Sequence, residues 1–98
     1  MINEIYNAYV KYRAEIYSQY ISLDYLKVVI LTNPENFHKL MQEIIKEQIH
    51  WSRYEDIYYF DLGGEKTPVI IDDEIPKEVE FQLLSQKDYE RHEQEKNV

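Results

Sequence analysis

Leu26 to Leu31 is a run of strand-forming residues broken only by Lys27, and it stops abruptly at Thr32-Asn33-Pro34-Glu35. A continuous apolar run of that length suits an interior strand covered on both faces. The four residues after it start a helix in one of two ways. Thr32 caps with Glu35 closing a capping box, or Asn33 caps with Pro34 in the first turn. The helix then runs from Pro34 to about Ile49. Phe37, Leu40, Met41, Ile44, Ile45 and Trp51 share one face, and Lys39, Gln42, Glu43 and Lys46 share the other. That pattern lays the helix on a sheet, with Phe37, Met41 and Trp51 in the core.

The strands that complete the sheet come later. Tyr54 to Leu62 reads as one strand, ended by Gly63-Gly64, because paired glycines reach positive φ at little cost. Pro68 to Asp72 is the return strand, and its leading proline implies a first-residue or edge position. Asp72-Asp73-Glu74 makes a turn. Val79, Phe81 and Leu83 alternate with Glu80 and Gln82 in a half-buried strand. Ser85 with Asp88 caps a short charged helix from Gln86 to about Lys96. Its only apolar residue of size is Tyr89, so fraying is expected.

Ahead of this core, residues 2 to about 21 form an amphipathic helix without Gly or Pro. Its apolar arc spans roughly 160°, wider than the ~100° a helix needs to cover a sheet. Tyr6, Tyr9, Tyr12, Tyr17 and Tyr20 lie in that arc with Arg13. Tyrosine and arginine are the residues that protein contacts favour, so this face is a candidate interaction surface, with self-association as its use. The bland alternative is a helix half sunk in its own core with hydroxyls at the rim.

Charge narrows the function classes. The chain of 98 residues has a formal net charge of −8. Residues 50 to 98 hold 13 of the 19 acids, so most of the excess lies there. Such a balance opposes nucleic-acid binding, which rests on Lys and Arg displacing counterions. It permits a basic protein partner. No apolar run approaches the roughly 18 residues of a membrane span, and no basic-then-apolar leader is seen at the amino end. Cysteine is absent, so thiol and disulfide chemistry are excluded. These features give the expectation of a cytoplasmic protein.

No catalytic constellation emerges. His38, His50 and His92 have spacings that match no zinc signature. The serines, Ser18, Ser22, Ser52 and Ser85, lack a glycine-flanked elbow. Gly63-Gly64 is followed by Glu65, not by a helix start with the lysine and hydroxyl of a phosphate loop. The carboxylates Asp61, Glu65, Asp72, Asp73 and Glu74 are the nearest thing to a divalent-cation site, but they lack an EF-hand alternation and a well-placed lysine. The expectation is no enzyme, no metal and no cofactor. The same five carboxylates could instead line a rim that imitates a nucleic-acid backbone and blocks a basic site on a host enzyme.

A buried strand, then Asn33-Pro34-x-x-Phe37-x-x-Leu40, then Pro68-Val69-Ile70-Ile71-Asp72-x-x-Ile75-Pro76 and one more strand, resembles the central domain of tailed-phage major capsid proteins and the encapsulin shells. The resemblance covers about residues 24 to 84. It implies a capsid-like fold. The long arm, extended loop and axial domain of that family have no room in 98 residues, so it points to a reduced, accessory or assembly protein of phage type. The fold expected is α+β in a single domain, 1–98. A helix over 1–22 precedes a β-α-β-β-β core over 23–84. In that core a strand and a helix lead into an antiparallel hairpin plus one strand. The helices pack on one face, and a short helix and tail occupy 85–98.

Overall fold

A computed structural model describes residues 1–19 and 27–96, with side chains for 1–15 and 27–95. The chain is α+β. Helix α1 (Ile2–Gln19) is followed by β1 (Val28–Thr32), α2 (Pro34–Lys46), β2 (Trp51–Tyr54), β3 (Ile57–Leu62), β4 (Glu65–Ile71), β5 (Gln82–Ser85) and α3 (Gln86–Lys96). One sheet holds all five strands in the order β2-β3-β4-β1-β5. Its pairs are antiparallel except β1 with β4, which run parallel.

Within that apolar run Val28 to Leu31, with Thr32, form an interior strand, every residue of which is buried; Leu26 lies outside the described residues. Val28 and Ile30 face the main core with Ile2, Ile5 and Tyr9 of α1, Leu40 and Ile44 of α2, and Phe60, Leu62 and Val69 of the sheet. Two helices thus cover one face. Val29 and Leu31 alternate to the other face and are also buried. Of the two helix starts open in the sequence, Asn33 is the cap: its side chain accepts the Asn36 N–H at 2.9 Å, and Pro34 opens the first turn.

Several boundaries differ from the sequence reading. Helix α2 ends at Lys46, not near Ile49. Gln48 takes φ 57°, its N–H donates to Ile45 O at 3.2 Å, and the Ile49 N–H donates to Ile44 O at 3.0 Å. That is a Schellman stop with glutamine in the left-handed position. The stretch Tyr54–Leu62 is not one strand. Glu55-Asp56, with Glu55 at φ 57°, turns the chain between β2 and β3. No Gly or Asn marks this turn, which is why it reads as strand. Gly63 and Gly64, at φ 60° and 83°, form the expected second hairpin. The expected antiparallel hairpin is β3–β4, extended by β2, while the one further strand, β5, returns to β1 and not to the hairpin, which makes the sheet mixed.

Pro68 is neither at an edge nor first in its strand. It lies inside β4, opposite Tyr59, with β3 on one side and β1 on the other. The Asp72 N–H donates to Thr32 O at 2.8 Å. Counting back by twos, the nitrogens of Ile70 and Pro68 face β1. The β3 ladder therefore loses nothing. The parallel ladder with β1 begins only at Ile30–Val69, and the Val28 carbonyl has no ladder donor. Below that point β1 and β4 form a fork.

Candidate functional site

The arc proposed on α1 is divided by the fold. Tyr9 is 2% exposed, and its hydroxyl donates to Glu65 Oε2 at 3.1 Å. Burial, then the adjacent Glu65 carboxylate, raises its pKa above 10.0, since both penalise the phenolate. Tyr12 packs against the core, and its hydroxyl oxygen accepts the Ser85 N–H at 3.0 Å. Arg13 pairs with Glu65 at 2.6 Å. Tyr6 stays 45% exposed beside Val10 at 51%. Tyr20 lies outside the described residues, as does the side chain of Tyr17.

The acidic surface is divided as well. Asp61 and Glu65 sit at the Gly63-Gly64 end of β3 and β4, with Asp61 opposite Lys66. Asp72, Asp73 and Glu74 follow the far end of β4, where Asp72 accepts the Glu74 N–H at 2.9 Å. Asp72 follows Glu65 by seven residue steps of extended chain, about 23 Å at about 3.3 Å per residue. Glu65 is already held by Tyr9 and Arg13. Among the described residues no three of His, Asp or Glu are placed to hold a metal ion. Among them, too, no helix is long and apolar enough to cross a membrane.

Two other features stand out. The first is the β2 edge. Trp51 is 39% exposed and Tyr54 is 70% exposed, and Ile45 at the end of α2 is 61% exposed. The sequence reading placed Ile45 on the apolar face and Trp51 in the core. Phe37 and Tyr58 fill that space instead, with ring centroids 4.9 Å apart, and Trp51 lies outside them, 6.0 Å from Tyr58. The Asp61 N–H donates to His50 O at 3.0 Å, so alternation turns the N–H and C=O of Trp51 and Arg53 outward from the sheet.

The second is a cleft of about 840 Å³ at the β1–β4 fork. Lys27, Val28 and Val29 line one side and Lys66, Thr67 and Pro68 the other. Consecutive residues of both strands line it, so the cleft enters between the strands themselves. Tyr9 and Arg13 bound it from the α1 side. Tyr59 and the first turns of α3 bound it from the opposite face.

No family model matches the chain, and neither a curated protein nor a solved structure matches it.

Both features had a signal in the sequence. Lys27 is the single charge in an otherwise apolar run, and it marks the cleft mouth. Trp51-Ser52-Arg53-Tyr54 ends at two acidic residues, a weak turn signal that hides a short edge strand.

Proposed function

We propose that the chain is a non-enzymatic interaction protein that works through its β2 edge, with a second copy of itself as the first partner. The supporting observation is the outward-facing backbone of Trp51 and Arg53 in a strand that also exposes Trp51 and Tyr54. An uncovered edge of this kind is a template for strand addition.

The residues suit a two-fold contact. Only registers that oppose outward-facing residues form ladder bonds. Antiparallel pairing centred on Ser52 sets Trp51 opposite Arg53 of the partner subunit, and the reverse, for four backbone hydrogen bonds. It sets Tyr54 opposite His50 of the partner subunit. No like charges meet in the strand, and each Arg53–Trp51 pair permits a cation–π contact. A four-residue edge gives a small contact, so the dimer is a weak one. The phage-type setting, an assembly or accessory protein, rests on the motif resemblance. The decoy reading has less support, because its five carboxylates lie at opposite ends of the β3–β4 hairpin.

Arg53→Pro tests this. It removes an outward N–H while sparing the β2–β3 ladder, whose bonds on β2 come from His50, Ser52 and Tyr54. Sedimentation of the wild type should rise toward dimer mass with concentration. The folded Arg53→Pro variant should stay monomeric. A wild type that remains a monomer throughout the micromolar range refutes the proposal.

A further inference from the structure

We infer that the cleft at the β1–β4 fork is a binding site for a small carboxylate with an apolar body. Its size falls within the about 300 to 1,000 Å³ usual for small-molecule sites. It exists because Pro68 has no N–H. A residue with an N–H there would bond the Val28 carbonyl, continue the parallel ladder and draw the strands together.

The chemistry of the walls selects the ligand class. The interior is apolar or aromatic: Val29, Pro68, Ile70, Ile57 and Tyr59 come from the sheet face opposite α1 and α2. The rim is basic. Arg13, Lys27, Lys66 and Lys87 are four bases against two acids, Glu65 and Glu90, in a chain with 11 bases and 19 acids. Glu65 is committed to Arg13. Lys27, Lys66 and Lys87 are exposed, and none has an ion pair among the described residues. Asp61 is the cross-strand neighbour of Lys66 but forms no ion pair with it.

The lysines also come from three elements. Lys27 enters β1, Lys66 enters β4 in the facing register, and Lys87 is in the first turn of α3. The hydrogen bond from the Gln86 N–H to Lys27 O, 2.8 Å, ties the start of α3 to the start of β1. The cations therefore converge on one mouth. The rest of the chain holds more acids than bases, so this mouth reverses the overall charge balance locally. A carboxylate seated among the lysines would leave its apolar body against Tyr59 and Pro68.

Three ten-carbon probes separate the outcomes, each titrated calorimetrically below its micelle concentration: decanoate, decanol and decyltrimethylammonium. Decanoate should bind at one site per chain, at least about tenfold more tightly than the other two. Lys66→Glu with Lys87→Glu, both surface changes, should cut decanoate affinity about tenfold or more and leave the melting temperature of the free protein nearly unchanged. Amide shifts on binding should centre on Val28, Val29 and Thr67. Decanol binding as tightly as decanoate would remove the anion from the proposal. Undiminished binding to the charge-reversed protein, shifts centred on Trp51 and Tyr54, or no binding by any probe would overturn it.

Discussion

Asn33 and Asn36 fasten the turn before β5 to the start of α2. Both are buried. Asn33 donates to the carbonyls of Pro76 and Val79 at 2.9 and 3.0 Å while its oxygen caps the helix. Asn36 donates to Lys77 O and Val79 O, both at 3.0 Å. Asn33→Asp keeps the cap but turns the two donors into an acceptor facing two carbonyls. It should cost about 2 to 3 kcal/mol in urea denaturation at neutral pH, and Asn33→Ala a similar amount through the lost cap and the unpaired carbonyls. Tyr9 sets an alkaline limit. Its folded pKa is raised above 10.0, so above pH 10.0 the unfolded chain releases this proton while the folded chain keeps it. The stability Tyr9 contributes is complete below pH 10.0 and is lost as pH rises through its folded pKa. Tyr9→Phe cannot ionise there. The stability gap between wild type and variant, followed by denaturant unfolding, should move in favour of the variant above pH 10.0.

At the level of elements, local chemistry was legible where one residue type has one use. Asn33-Pro34 fixed a helix start, Gly63-Gly64 a hairpin and Ser85 a cap, the last seen as the Asp88 N–H donating to Ser85 Oγ at 3.1 Å. Misreadings fell where the chain uses a costly residue. Gln48 and Glu55 hold positive φ without being Gly or Asn. Gln48→Gly should therefore stabilise the protein by about 0.5 to 1 kcal/mol, readable as a higher urea midpoint at constant slope. Pro68 misled for a different reason. The rule against proline in central strands assumes that both ladders need the N–H, yet a strand offers each N–H to only one neighbour. Which neighbour depends on the partner order, and that order is a property of the whole sheet. Pro68→Val should supply the donor that Val28 O lacks. The amide that this substitution introduces should be protected from hydrogen exchange, exchange at Val28 should slow, and stability should rise by about 1 kcal/mol.

For the whole molecule, charge decides between the readings of how it meets a partner. The parallel β1–β4 pair and the fork could not be read from periodicity, because they depend on contacts between residues some forty apart. The acidic excess could be read, and it constrains association in a definite direction. Two copies each carrying −8 repel, while the β2 contact itself is backbone hydrogen bonding around Ser52, with Trp51 beside the two-fold and Tyr54 at its ends. Salt weakens long-range repulsion, with a screening length of about 10 Å at 0.1 M, and leaves short apolar and backbone contacts almost untouched. Raising sodium chloride from about 0.05 to about 0.5 M should therefore tighten the dimer several-fold by sedimentation equilibrium. A decoy that seats its carboxylates on a basic enzyme would respond with the opposite sign, because screening removes its attraction. Association strengthened by salt, and lost in Arg53→Pro, would fit a contact made by the strand edge and not by the protein's field. Association weakened by salt would place the contact on the acidic surface and rule out the two-fold β2 pairing.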